Sequence, residues 1–221
     1  GIRDEWGWDP EVQFFASRGY AVLQVNYRGS AGYGMKFQDA GYGQWAGKMQ
    51  DDLADSVQWL VKQQVADPKR VCIYGASYGG YAALENAERY PDLYKCVVGY
   101  VGLYDLQTMD DSDFSHYASG KHYTGVSVGR DDATLKADSP VSGADKIAAP
   151  VFIIYGGQDK RVVPKNAEEM MAAMDKAGKK YEQLYEPLEQ HGFYKSEHRY
   201  DLYTKILAFI DKYIGPSASR N

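Results

Sequence analysis

The sequence predicts a doubly wound α/β domain built on a mostly parallel sheet. Three observations carry this. Short β-branched apolar runs alternate with segments of helical periodicity along nearly the whole chain. Most helical segments carry their own start or stop signals. One apolar run leads straight into Gly75-Ala76-Ser77-Tyr78-Gly79, which is followed by an Ala-rich helical stretch. Right-handed crossovers place helices on both faces of such a sheet, and its chemistry falls at the carboxyl ends of the strands.

The elements follow in order. Asp9-Pro10-Glu11 opens a helix, with Asp as the cap, Pro at the first helical position and an acid in the first turn; Gly19 stops it. Residues 20–25 (YAVLQV) read as a first buried strand. A Gly-rich loop runs from residue 28 to about 47, and Leu53, Val57, Leu60 and Val61 then mark one helix face. Residues 70–74 (RVCIY) are a second strand, 78–90 a helix stopped by Pro91, and 95–101 a third strand. Residues 105–144 are polar and rich in Asp, Ser and Gly, which predicts an excursion of loops and short helices. Residues 150–155 (PVFIIY) form a fourth strand, 164–177 a helix, 181–185 a fifth strand and 195–214 the last helix. The Met170, Met171 and Met174 stripe is core packing at helical spacing.

With 221 residues, 44% hydrophobic and a net charge of −5, the chain has the composition of a soluble globular domain. No Lys/Arg run suggests nucleic acid, and no apolar stretch approaches a membrane span. Cys72 and Cys96 lie in apolar runs and read as buried thiols. The chain opens on Gly-Ile-Arg, with neither Met nor a signal pattern, so a cytoplasmic or periplasmic location stays open. Residues 215–221 read as a disordered tail.

Two segments match G-x-S-x-G: 75–79 and 125–129. Ser77 has a strand before it and a helix after it, the setting a nucleophile elbow requires. Small residues two before and two after it, Gly75 and Gly79, relieve the crowding of that sharp turn, and Gly80 admits close packing. Ser127 sits in the polar excursion without that setting. A serine hydroxyl needs a base, and the base needs an orienting acid. His191 follows the fifth strand in a loop, whereas His198 falls on the polar face of the last helix and reads as a solvated surface histidine. Asp159 follows the fourth strand in Gly-Gly-Gln-Asp, and Asp105, after the third strand, is the runner-up. His116 and His122 make no zinc motif, and neither a metal nor a cofactor is expected.

Asn26-Tyr27-Arg28-Gly29-Ser30-Ala31-Gly32-Tyr33-Gly34, Gly75-Ala76-Ser77-Tyr78-Gly79-Gly80-Tyr81, Gly157-Gln158-Asp159 and His191-Gly192, in this order, resemble the prolyl oligopeptidase family of serine peptidases, in its acylaminoacyl-peptidase and dipeptidyl-peptidase branch. The resemblance implies an α/β-hydrolase fold over residues 1–214 that lacks its first strands, with a β-propeller upstream. It implies hydrolysis of short peptides near their N-termini, with Ser77 as nucleophile, Asp159 as acid and His191 as base. It implies an oxyanion hole from the Tyr33 hydroxyl and the Tyr78 backbone N–H, and a substrate pocket touched by Tyr104 and Val162. The expected partners are the short peptide, the missing N-terminal part of the same protein and, as a possibility, a second copy. An esterase or thioesterase with the same triad, or an inactive fragment, are the competing readings.

Overall fold

The computed structural model describes residues 1–111, 118–129 and 131–216. The predicted tail therefore lies outside the described residues from Ser217 onward, as does His116.

Local signals place the helices. Asp9 Oδ1 accepts the N–H groups of Glu11 and Val12 at 2.8 and 3.0 Å and so caps α1 (Pro10–Ala16). Gly19 ends that unit with φ +88°, a conformation a side chain disfavours. One short turn, α2 (Met35–Asp39), lies in the Gly-rich loop, and α3 (Lys48–Lys62) follows it. Then come α4 (Tyr78–Arg89), α5 (Ala118–Ser127), α6 (Asp132–Ala137), α7 (Lys165–Lys176) and α8 (Ser196–Ile214). The polar excursion holds α5, α6 and short 3₁₀ turns, as its composition predicts.

The strands β1 (Cys72–Ala76), β2 (Cys96–Tyr100), β3 (Val151–Gly156) and β4 (Tyr181–Glu186) form one sheet in the order β1-β2-β3-β4, all parallel. Period-two alternation splits its side chains between two cores. Val98, Phe152, Ile154 and Leu184 face Phe15 of α1 and Ile206, Phe209 and Ile210 of α8. Val97, Val151 and Ile153 face Leu84 of α4 and Met170 and Met174 of α7. The methionine stripe is core, as its spacing predicts.

Two expectations are corrected here. Residues 20–25 belong to no strand, and Val22 and Leu23 are 40% and 42% exposed. Apolar content predicts a buried strand only where a neighbour can take its N–H and C=O groups. Here the segment is held away from edge strand β1 by a cleft of about 570 Å³, lined by Leu23 and Val25 on one side, Val71 and Tyr74 on the other, and Val57 and Leu60 of α3. The second correction concerns the cysteines. They are not thiols: Cys72 and Cys96 form a disulfide. The parallel register sets them directly opposite each other, Cα to Cα 4.7 Å, within the range a disulfide spans. Sequence alone does not reveal that register.

Candidate active site

Ser77 stands between β1 and α4 with φ +58° and ψ −120°, a strained conformation for a residue with a side chain. Its backbone N–H donates to the Tyr100 carbonyl at 2.9 Å, which ties the corner to the end of β2. A Cβ on Gly75 would collide with the Gly79 backbone, and one on Gly80 would come within 2.8 Å of Gly102 Cα. Those two glycines are demanded by close approach. Gly79 is different: a Cβ there would meet nothing within 4 Å, because Gly79 faces the cleft beside β1.

Across from Ser77, the loop after β4 carries His191. Its Nε2 lies 2.9 Å from Ser77 Oγ and its Nδ1 lies 2.8 Å from Asp159 Oδ2. A carboxylate only accepts, so Nδ1 carries the proton and Nε2 offers its lone pair to the serine hydroxyl. Asp159 is 4% exposed, and its Oδ1 accepts the N–H groups of Arg161 and Val162 at 2.8 and 2.9 Å. The loop of Asp159 and the loop of His191 touch backbone to backbone. A Cβ on Gly156 would lie 2.5 Å from the carbonyl oxygens of Glu189 and Gln190, and Gln158 N–H donates to the Glu189 carbonyl at 2.8 Å. Such a hydroxyl–imidazole–carboxylate chain can take the proton from an attacking serine.

A pocket of about 250 Å³ opens beside Ser77, lined mainly by Trp45, Met49, Tyr78, Leu103, Met109 and Val162. Trp45 meets Tyr78 edge-on, with ring centroids 4.7 Å apart. The larger cleft beside β1 includes none of Ser77, Asp159 and His191.

The structure brings Ser77, Tyr78, Asp159, Val162 and His191 together, and it sets two expected residues elsewhere. Tyr33 is half-exposed; its hydroxyl accepts from Asn26 Nδ2 at 3.1 Å, and its ring packs on Phe37 under the Arg3 guanidinium. It lines a hollow with Lys36, Asp52 and Asp55 and not the pocket of Ser77. Tyr104 is fully buried in the core between the sheet and α7, against Gly99 and Gly102, and does not line the pocket beside Ser77. In both cases the direction of the side chain is set by how the loop folds. Ser127 lies on the rim of the pocket, yet its hydroxyl donates to the Tyr123 carbonyl at 2.7 Å, as a helix residue commonly does. Asp105 Oδ1 accepts the N–H of Gln107 at 2.9 Å and caps a 3₁₀ turn.

His198 is also corrected. It is not a solvated surface group: its Nδ1 lies 2.7 Å from Glu189 Oε1 and its Nε2 3.5 Å from Glu186 Oε2. Glu189, 2% exposed, was not singled out by sequence. The available signal was an acid two residues before His191, which by itself has many readings.

Among the described residues no group of three or more His, Cys, Asp or Glu side chains could hold a metal ion, and no helix is long and apolar enough to cross a membrane. A profile of the prolyl oligopeptidase family matches residues 6–217. The chain is 38% identical over 221 residues to "Dipeptidyl aminopeptidase BIII" of Pseudoxanthomonas mexicana, covering 98% of this chain and 32% of that protein. It is 32% identical to "Dipeptidyl peptidase family member 6" of Caenorhabditis elegans, covering 96% of this chain and 30% of that protein. A solved structure of a puromycin-hydrolyzing peptidase of Mycobacterium tuberculosis superposes with a TM-score of 0.86 at 30% identity, covering 93% of this chain and 31% of that one. The chain thus spans about one third of the length of the relatives it matches.

Proposed function

The chain belongs to the prolyl oligopeptidase family of serine peptidases, and from that premise we propose that it carries the catalytic domain of a peptidase that cuts short peptides near their N-termini through Ser77, His191 and Asp159. One observation carries the reading: a serine held at φ +58° with its Oγ 2.9 Å from an imidazole whose other nitrogen lies 2.8 Å from a buried carboxylate.

The steps follow from that chain. Ser77 Oγ attacks the scissile carbonyl carbon as its proton passes to His191 Nε2. The carbonyl π electrons move to oxygen, giving a tetrahedral oxyanion. The Tyr78 backbone N–H, first in α4, faces this charge with the positive end of the helix behind it. Collapse breaks the C–N bond, and Nε2 returns the proton to the departing amine. Water then attacks the acyl-serine ester by the same route, releasing the acid and restoring Ser77. Asp159 holds the Nδ1–H tautomer and favours the transient imidazolium. The aromatic and aliphatic pocket suits an apolar side chain on the acyl side of the cut. Relatives named dipeptidyl peptidases support a dipeptide product.

A fluorophosphonate probe applied to the protein tests this reading. Labelling should fall on Ser77 and vanish in Ser77→Ala, and dipeptide p-nitroanilides should be turned over. Labelling elsewhere, or turnover of p-nitrophenyl esters without peptide anilides, rejects the peptidase reading.

A further inference from the structure

We propose that Glu189 is a positioning residue whose buried carboxylate clasps shut the loop that presents His191, a role that rests on the triad reading above.

The loop from Glu186 to Lys195 is short, and much of its outer half is exposed, with Leu188 62% and Tyr194 68% exposed. A loop of that kind ordinarily drifts. This one is fastened from inside. Glu189 Oε2 accepts the N–H of Tyr194 at 2.9 Å, and Oε1 accepts the N–H of Lys195 at 3.0 Å and meets His198 Nδ1 at 2.7 Å. The carboxylate therefore joins the two ends of the segment that contains His191 and anchors them to the first turn of α8. Its main chain faces the other way: the Glu189 carbonyl accepts Gln158 N–H at 2.8 Å, next to Asp159. One residue thus holds the base loop closed and fixes it against the acid loop. Phe193 N–H, bonded to the Tyr100 hydroxyl, adds a third fastening to the strand that also holds the Ser77 backbone.

The chemistry favours a carboxylate at this place. Three donors converge on two oxygens, and an amide would turn an N–H toward one of them. Burial pushes the Glu189 carboxyl upward, but the two backbone N–H groups and His198 outweigh it and hold it below the ordinary carboxylate value. Glu189 touches neither Ser77 nor the pocket. Its effect would pass through the placement of the imidazole, where a displacement of about 1 Å can cost on the order of 100-fold in rate.

The test uses the protein with Glu189→Gln, His191→Ala and the double variant, assayed on a free-amino dipeptide p-nitroanilide with an apolar second residue. Glu189→Gln should lower kcat by about 10- to 100-fold with KM within about twofold. In the His191→Ala background the same change should cost nothing further, because the clasp works through the ring; a general loss of folding would cost the same in both backgrounds. A kcat within about threefold of wild type, a change in KM alone, or equal losses in both backgrounds overturns the proposal. Should Glu189→Gln fail to fold, His198→Ala removes one donor from the same carboxylate from outside the loop. It should lower kcat about 3- to 10-fold in wild type and not in His191→Ala; no change there also overturns the proposal. If the wild-type serine is unlabelled by fluorophosphonate and His191→Ala is silent, the triad reading itself falls, and the clasp with it. A labelled Ser77 with an indifferent Glu189→Gln defeats the clasp alone.

Discussion

At Ser77 the hydroxyl faces His191 Nε2, whereas at Ser127 it bonds back into its own helix. The same serine-to-alanine change should therefore give opposite results. Ser77→Ala is expected to lower kcat by roughly 10⁴–10⁶-fold and Ser127→Ala to change it little, measured on peptide anilides; equal losses would reject the assignment. Tyr33→Phe should lower kcat by less than about threefold, since its hydroxyl bonds Asn26 in another hollow. A loss on the order of 100-fold would instead mean that the hydroxyl swings onto the oxyanion during turnover. The corner serine was legible in the sequence because a strand, a sharp turn and a helix are all local. Asp159 and His191, which the structure places within hydrogen-bond distance of each other, were legible as candidates because each follows a strand and is of suitable type. Tyr33 and Tyr104 were not, because the direction of an aromatic side chain in a loop depends on packing against distant residues. Glu189 was hard to see for a similar reason: two of its partners are backbone N–H groups, which leave no mark on composition, and the third, His198, is brought to it by the fold.

At the scale of elements, α4 carries a buried acid. Glu85 is 6% exposed, its Oε2 has no hydrogen-bond partner, and burial, followed by repulsion from Glu88 and Asp138, pushes its pKa up to about 8. The folded chain therefore holds a proton that the unfolded chain releases once pH exceeds about 4.5. Folding binds more protons than unfolding in that window, so stability falls as pH rises from about 4.5 to about 8. Glu85→Gln keeps the shape without the charge. Its thermal midpoint should gain on wild type steadily between pH 5 and pH 8; a constant difference would show that Glu85 ionises freely in place. Between β1 and β2 the disulfide gives a second test. Without reductant, iodoacetamide should modify neither Cys72 nor Cys96, and the thermal midpoint should fall on reduction; two alkylated thiols in the oxidised, folded protein would contradict it. The existence and order of α1, α3, α4, α7 and α8, and of four strands, followed from periodicity and stop signals. The pairing of the two cysteines did not, because it depends on strand register, which local pattern does not contain.

At the scale of the whole molecule, the cleft beside β1 decides behaviour. It separates two stretches of backbone, both able to pair with a strand and both lined by apolar side chains, with Gly79 open at its wall. An edge of this kind recruits another strand. We expect the 221-residue chain on its own to self-associate, and a longer protein that contained it, of the length of its relatives, to close the cleft with a segment of its own. Light scattering and active-site titration of both would check this. A stable monomer of the 221-residue chain with turnover equal to that of such a longer protein would show that nothing is needed in the cleft. The parallel, doubly wound architecture was readable from the sequence. The failure of residues 20–25 to form a strand was not, since a run of apolar residues says that it will be covered and not by what.

The contact between the acid and base loops has a mechanical consequence. With no room for a side chain at Gly156 and a main-chain bond from Gln158 to Glu189, Asp159 and His191 ride on one stiff unit, and the Ser77 corner is a second unit joined to it through Tyr100. Heating should therefore loosen the seam between the two units before it loosens either of them. In a proton spectrum recorded while activity is being lost, the far-downfield signal of the His191 Nδ1 hydrogen should outlast turnover. The first thing to fail would be the alignment of serine and imidazole, with the imidazole still gripped by its carboxylate.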